Sequence, residues 1–174
     1  MNHLLRKACL AASVASASLI AVPAVAAPVG AATPATGRAK IVKPLVLTST
    51  RNLDFGTITL GTIAAAGETV AMTQAGVVTC GSGGLTCSGT PASAAYNVKG
   101  TNNQVVQVFA VASALTNAND GSTLSFTPSA PATVTMPNSG TAGVNFNVGG
   151  SIKVMPATTD GVYSGNINVT VDYQ

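Results

Sequence analysis

The residues best suited to chemistry in this sequence are Cys80 and Cys87, which bracket the short stretch CGSGGLTC. Their spacing is not the C-x-x-C of redox and zinc sites. The single histidine, His3, and the third cysteine, Cys9, both lie in the N-terminal leader. An even pair in an exported chain reads as a disulfide. A loop this short gives about 2.5 kcal/mol of chain-entropy stabilisation. Serine–histidine–aspartate and cysteine–histidine catalysis need an imidazole that the chain beyond the leader lacks. The five acids, Asp54, Glu68, Asp120, Asp160 and Asp172, form no carboxylate pair suited to glycoside hydrolysis. The stretch TNANDGS, Thr116 to Ser122, is rich in oxygen ligands but lacks the spacing and closing glutamate of a calcium loop, so it reads as a polar turn. Asn168-Val169-Thr170 matches a glycosylation sequon by chance, inside a strand pattern. The expectation is a protein with no catalysis, no cofactor and no metal.

The leader sets the compartment. Arg6 and Lys7 precede an apolar run from Ala8 to Ile20, and Val22-Pro23-Ala24-Val25-Ala26 ends in a small-residue cleavage site. This predicts a signal peptide over residues 1–26, export to the periplasm, outer surface or medium, and no membrane span after its removal. Residues 27–40 are rich in Ala, Pro and Thr and too poor in bulk to build a core, which predicts a flexible leader. Residues 41–174 then form a single domain.

Only 7% of residues are charged, and the distribution is uneven. Beyond the signal peptide, Arg38, Lys40, Lys43 and Arg51 stand together. Lys99 and Lys153 are outnumbered by the five acids in the remainder. Nucleic-acid binding is excluded, because the basic residues are few and no aromatics are interleaved with them. Two readings of the arm stay open: it is solvated, or it meets the acidic body of a neighbouring copy.

The elements that position these residues read as strands. Expected strands cover Ile41 to Thr48, interrupted by Pro44; LDFGTITL from Leu53, with a bulge or close approach at Gly56; Val70 with Met72; and Ala94 to Val98. Val77 to Cys80 and the residues after Cys87 are expected to form a disulfide-pinned hairpin. Gln104 to Ala112, apolar on both parities, predicts a central strand covered on both sides. Further strands hold Leu124 and Phe126, Val134 and Met136, and Val144 to Val148. A turn is expected at Gly149-Gly150, followed by Ile152 and Val154. No amphipathic helix is evident. The fold class is all-β, an immunoglobulin-like β-sandwich following the signal peptide.

The last fourteen residues, GVYSGNINVTVDYQ, alternate to the end of the chain. Tyr163, Ile167, Val169, Val171 and Tyr173 share one parity. Asp172 alone guards an edge that would otherwise stick, so this strand should be interior to a sheet or covered by another strand. Gly161 and the penultimate Tyr173 bracketing such a strand resemble the C-terminal signature of chaperone–usher pilus subunits. LDFG and GVYSGNINVTVDY resemble the spore coat U-like and archaic pilin group. KIVKPLVLTSTRNLDFGTI, FNVGGSIKV and DGVYSGNINVTVDYQ more closely resemble a family of small exported bacterial domains of unknown function.

The pilin-like resemblance implies a sandwich lacking one strand. A periplasmic chaperone, and then the N-terminal arm of another copy or a related subunit, would supply it by β-augmentation. It makes Gly161, Ile167, Val169, Val171 and Tyr173 the groove wall. Ala39, Ile41, Leu45 and Leu47 become the donor arm or, alternatively, the chain's own completing strand. The expected role is a non-catalytic structural subunit of the bacterial envelope or surface. The alternative is a self-complemented, stand-alone secreted binding domain of adhesin type.

Overall fold

The structure is a computed structural model that describes residues 26–137 and 142–174. The expected signal peptide falls outside these residues except for Ala26. The chain divides into two units, residues 1–39 and 40–174. The described part of the first has no regular structure and is exposed throughout.

The second unit is all-β; no helix occurs among the described residues. Its strands are β1 (Val46–Arg51), β2 (Thr57–Leu60), β3 (Glu68–Met72), β4 (Val78–Thr79), β5 (Leu85–Ser88), β6 (Ala94–Lys99) and β7 (Val105–Val111). They continue with β8 (Ser113–Asn117), β9 (Thr123–Ser129), β10 (Thr133–Thr135), β11 (Val144–Val154), β12 (Tyr163–Ser164) and β13 (Asn168–Tyr173). The main sheet runs β1-β6-β11-β9-β8-β12, with β3 joined to β11 and β4 to β3. A three-stranded sheet runs β10-β7-β13, and β2 pairs with β5 alone. Every pairing is antiparallel, and the architecture is that of a β-sandwich.

Strand β11 organises the molecule. Its first half, Val144 to Val148, pairs with β6, and its second half pairs with β3 on one side and β9 on the other. The turn expected at Gly149-Gly150 is absent. The two glycines lie inside the strand, where a side chain at Gly149 would collide with the Met72 carbonyl and one at Gly150 with the Phe126 ring. The glycines mark close approach, not reversal, and the inward parity of Phe146, Val148, Ile152 and Val154 runs through them unbroken.

Two cores result. One buries Ala94, Tyr96, Val98, Val106, Val108, Met136, Phe146 and Val148 between the β1-β6-β11 layer and the β10-β7-β13 layer. The other buries Phe55, Val70, Met72, Leu85, Leu124, Phe126, Ile152 and Val154 under the β2–β5 ribbon. Leu53 and Ile167 pack against both.

Three further expectations are corrected. Strand β1 starts after Pro44, at Val46, because proline has no N–H for the ladder. The segment Val77 to Cys80 pairs with β3 and the segment around Cys87 pairs with β2, so they form no common hairpin. The disulfide between Cys80 and Cys87 instead ties the ribbon to the main sheet. Strand β7 is central but covered on one face only: Phe109 and Val111 point outward, 49% and 59% exposed.

Candidate functional site

The segment Leu53-Asp54-Phe55-Gly56 crosses the opening of the second core. The Asp54 carboxylate accepts the Gly56 N–H at 2.8 Å, and Asp54 bridges to Ala92 through its backbone. Phe55 is thereby directed inward onto Phe126, edge to face, with ring centroids 6.3 Å apart. Gly56 takes φ +77°, and a Cβ there would strike the Ser88 carbonyl, so glycine is required on both counts. Arg51 fixes the adjoining edge by donating to the Ser93 carbonyl at 2.8 Å and to the Ser93 hydroxyl at 3.1 Å.

Opposite this segment lies the stretch Thr158–Asn168. One end of it is held by a hydrogen-bonded box. The Asn117 amide, buried between strands, donates to the Asp160 carbonyl at 3.0 Å and to the Thr159 hydroxyl at 3.3 Å. Thr159 donates to the Asp120 carboxylate at 2.7 Å, and the Tyr163 hydroxyl donates to the Thr159 carbonyl at 2.9 Å. Ser122 lies 2.8 Å from the Thr159 hydroxyl and 3.0 Å from that of Tyr163. The bonds from Thr159 and then Ser122 hold the Asp120 carboxyl below its ordinary value. Those from Ser122 and then Thr159 pull the Tyr163 phenol down. Within TNANDGS, a polar turn, the side chains of Asn117, Asp120 and Ser122 are spent on this box. Gly161 packs on the Asn117 amide at φ +145°, where any side chain would overlap it. Among the described residues no group of three or more His, Cys, Asp or Glu stands close enough to hold a metal.

Between these two walls is a cleft of about 1290 Å³. Its floor is the concave face of the main sheet: Ala94 and Tyr96 of β6, Ile152 and Val154 of β11, Leu124 and Phe126 of β9, and Leu115 of β8. Leu53, Phe55, Ile58 and Leu60 line one wall, and Tyr163, Gly165, Ile167 and Asn168 the other. Asp54, Asp160 and Arg51 also line it. Burial pushes the Tyr96 phenol up. Two sheet edges border the opening: β1 pairs only with β6, and β13 only with β7, among the described residues.

The terminal segment is not one strand. Tyr163 and Ser164 join β8 in the main sheet, whereas Asn168 to Tyr173 join β7 in the other. The switch falls at Gly165, packed against the Ala114 carbonyl and Leu115 too closely to admit a side chain. The alternating face persists, with Tyr163, Ile167, Val169, Val171 and Tyr173 half-buried. Of the residues expected to form a groove, Gly161 and Ile167 line the cleft. Val169, Val171 and Tyr173 pack on the other core. In the arm, Leu45 and Leu47 also pack on that core, while Ala39 and Ile41 are exposed, Ile41 by 91%. Sequence reasoning did not single out Ile58, Leu115 or Tyr163 as cleft residues. The close approach expected at Gly56 is present, but the strand reading of LDFG does not reveal that this segment forms one wall.

A family described as "Domain of unknown function (DUF4402)" matches residues 45–173. The chain belongs to this family. No curated protein and no solved structure matches the chain. The DUF4402 segment starts at Leu45, the first arm residue packed on a core, and ends at Tyr173, the last residue of β13. Both walls of the cleft lie inside it. No helix among the described residues is long and apolar enough to cross a membrane.

Proposed function

We propose that this DUF4402 chain is a non-catalytic structural subunit of the bacterial envelope or surface. It resembles pilin and coat subunits, and its cleft is completed by a β-strand from another chain. The observation that carries this reading is the cleft itself: one of the two cores opens on a trough lined by Leu, Ile and Phe, beside two unpaired strand edges. An added strand would satisfy the edge N–H and C=O groups and bury the apolar floor in one step.

The donor is the arm of a second copy, presenting Ala39, Ile41 and Val42. Ile41 is exposed in its own chain, and Lys40 and Arg38 beside it complement Asp54 and Asp160 in the cleft walls. Its root lies far from its own cleft. Lys43 meets Tyr173, at the start of β1 and the end of β13, whereas the cleft takes in the end of β1 and the start of β13. Six steps of extended chain lead from Lys43 to Ser49, about 20 Å. Donor and acceptor at opposite ends make a head-to-tail contact that propagates a filament. A periplasmic chaperone strand would occupy the cleft before assembly, after export of the signal-bearing precursor.

The second reading is a self-sufficient secreted binding domain. It is favoured by Leu45 and Leu47, which the chain spends on its own core. Light scattering on the purified chain and on its Ile41→Asp variant separates the two. Strand exchange gives oligomers that the variant abolishes, and a self-sufficient domain gives the same monomer for both.

A further inference from the structure

The hydroxyl of Tyr173 accepts the Thr101 N–H at 2.7 Å and donates to the Lys43 carbonyl at 2.6 Å. Lys43 in turn donates its own N–H to the Thr101 hydroxyl at 2.6 Å. Both backbone groups of Lys43 are therefore committed. Pro44 follows, and the ring of a proline holds the preceding residue in extended backbone. The penultimate tyrosine, the turn between β6 and β7, and the root of the arm form one closed hydrogen-bonded triad. Gly100 admits the tyrosine: a side chain there would collide with its hydroxyl and with Leu45.

For Ile41 to reach the chain's own cleft, the chain must reverse direction between Lys43 and Leu45 and run back beside β1. A reversal there needs the Lys43 N–H and C=O for the turn, and an αR or αL backbone that Pro44 disfavours. While the triad holds, Ile41 is tethered two residues from Lys43. Two residues reach about 7 Å, against the roughly 20 Å between Lys43 and Ser49. Once the triad opens, Leu45 becomes the pivot, and Ile41, four residues away, can swing to the cleft rim.

We propose that Tyr173 is a latch that turns the arm root away from the chain's own cleft, so that the cleft stays available to a strand from outside. This rests on the strand-acceptor reading of the cleft, and it assigns Tyr173 a positioning role in the choice between self-closure and exchange. Removing the hydroxyl leaves the ring packed on the closed core and deletes only the two bonds to Thr101 and Lys43.

The test is a distance measured in dilute protein by double electron–electron resonance. Nitroxides are placed at Ile41→Cys and Val162→Cys, the latter an exposed cleft residue, in a Cys9→Ser background that keeps the Cys80–Cys87 disulfide. The parent should give one long distance. Tyr173→Phe should raise the short-distance fraction roughly tenfold, the loss of about 1.4 kcal/mol of hydrogen bonding. Thr101→Val, which deletes only the Lys43 N–H bond, should shift it less and in the same direction, and it serves in place of Tyr173→Phe if that variant melts early. A short distance already dominant in the parent, or an unchanged distribution in folded Tyr173→Phe, overturns the latch. A parent that keeps the long distance yet sediments as a monomer at high concentration supports the latch and removes strand exchange.

Discussion

The two cores of this sandwich are built from the same kinds of residue, but only one is filled. In the first, β6 and β11 face β7 and β13 directly, Tyr96 stacks on Phe146 at 5.6 Å, and the layers close on each other. In the second, the main sheet curls, and among the described residues its concave side is met by the narrow β2–β5 ribbon, the crossing Leu53–Phe55 segment and the side chains of Tyr163 and Ile167. Leu53, Ile58, Leu115, Tyr163 and Ile167 are left half-covered around a trough of about 1290 Å³. The difference follows from topology, not from a shortage of apolar residues. The terminal segment leaves the main sheet at Gly165 to join β7, so among the described residues no further strand lies beside the ribbon.

The two cores should respond most differently to large-to-small substitution. Phe146→Ala in the filled core should cost about 3–5 kcal/mol, since the ring leaves a cavity that its neighbours cannot fill. Ile58→Ala at the trough should cost under about 1.5 kcal/mol in the free chain, because its side chain already borders open space. Urea denaturation of both variants checks the contrast. Adding an occupying strand should enlarge the Ile58 effect and leave that of Phe146 unchanged.

Next in size is the covalent tie. Replacing Cys80 and Cys87 with serine should lower stability by about 2.5 kcal/mol. The loss should be local. Amide exchange should accelerate across Thr57–Leu60 and Leu85–Ser88, while Val105–Val111 keeps its protection. Equal acceleration in both regions would show that the two cores unfold as one.

The smaller effects concern the ends of the sheets. Thr159→Val removes the principal bond to Asp120, so the Asp120 pKa should rise toward its ordinary 3.8, as read by NMR titration. A carboxyl depressed in the folded state adds stability that is fully present above its unfolded value. That stability is lost as pH falls from about 3.8 through the lower folded value. The wild-type chain should therefore lose this contribution in strong acid, and Thr159→Val should have less of it to lose. Least of all, Phe109→Ser on the outer face of β7 should change stability by no more than about 0.5 kcal/mol.

The filled core was largely legible in the sequence. Ala94-Tyr96-Val98, Val144-Phe146-Val148 and the terminal Val169-Val171-Tyr173 show their parity openly, and the structure buries those faces. The cleft was legible only in part. The parity of GVYSGNINVTVDYQ runs unbroken through Gly165, so periodicity cannot reveal that the chain changes sheets there. Gly149-Gly150 has turn composition but sits mid-strand, because glycine serves close backbone approach as well as reversal. Lys43-Pro44 signalled an interruption correctly. What it could not show is that Tyr173, one hundred and thirty residues away in sequence, fixes that interruption in space.

The most direct test places a photo-crosslinking amino acid at Ile41 of the full chain and maps its products by mass spectrometry. If the trough takes the arm of a neighbour, adducts should join two chains and fall within Leu53–Leu60 or Thr158–Asn168. Adducts confined to one chain, or scattered over the outer face of β7, would contradict it.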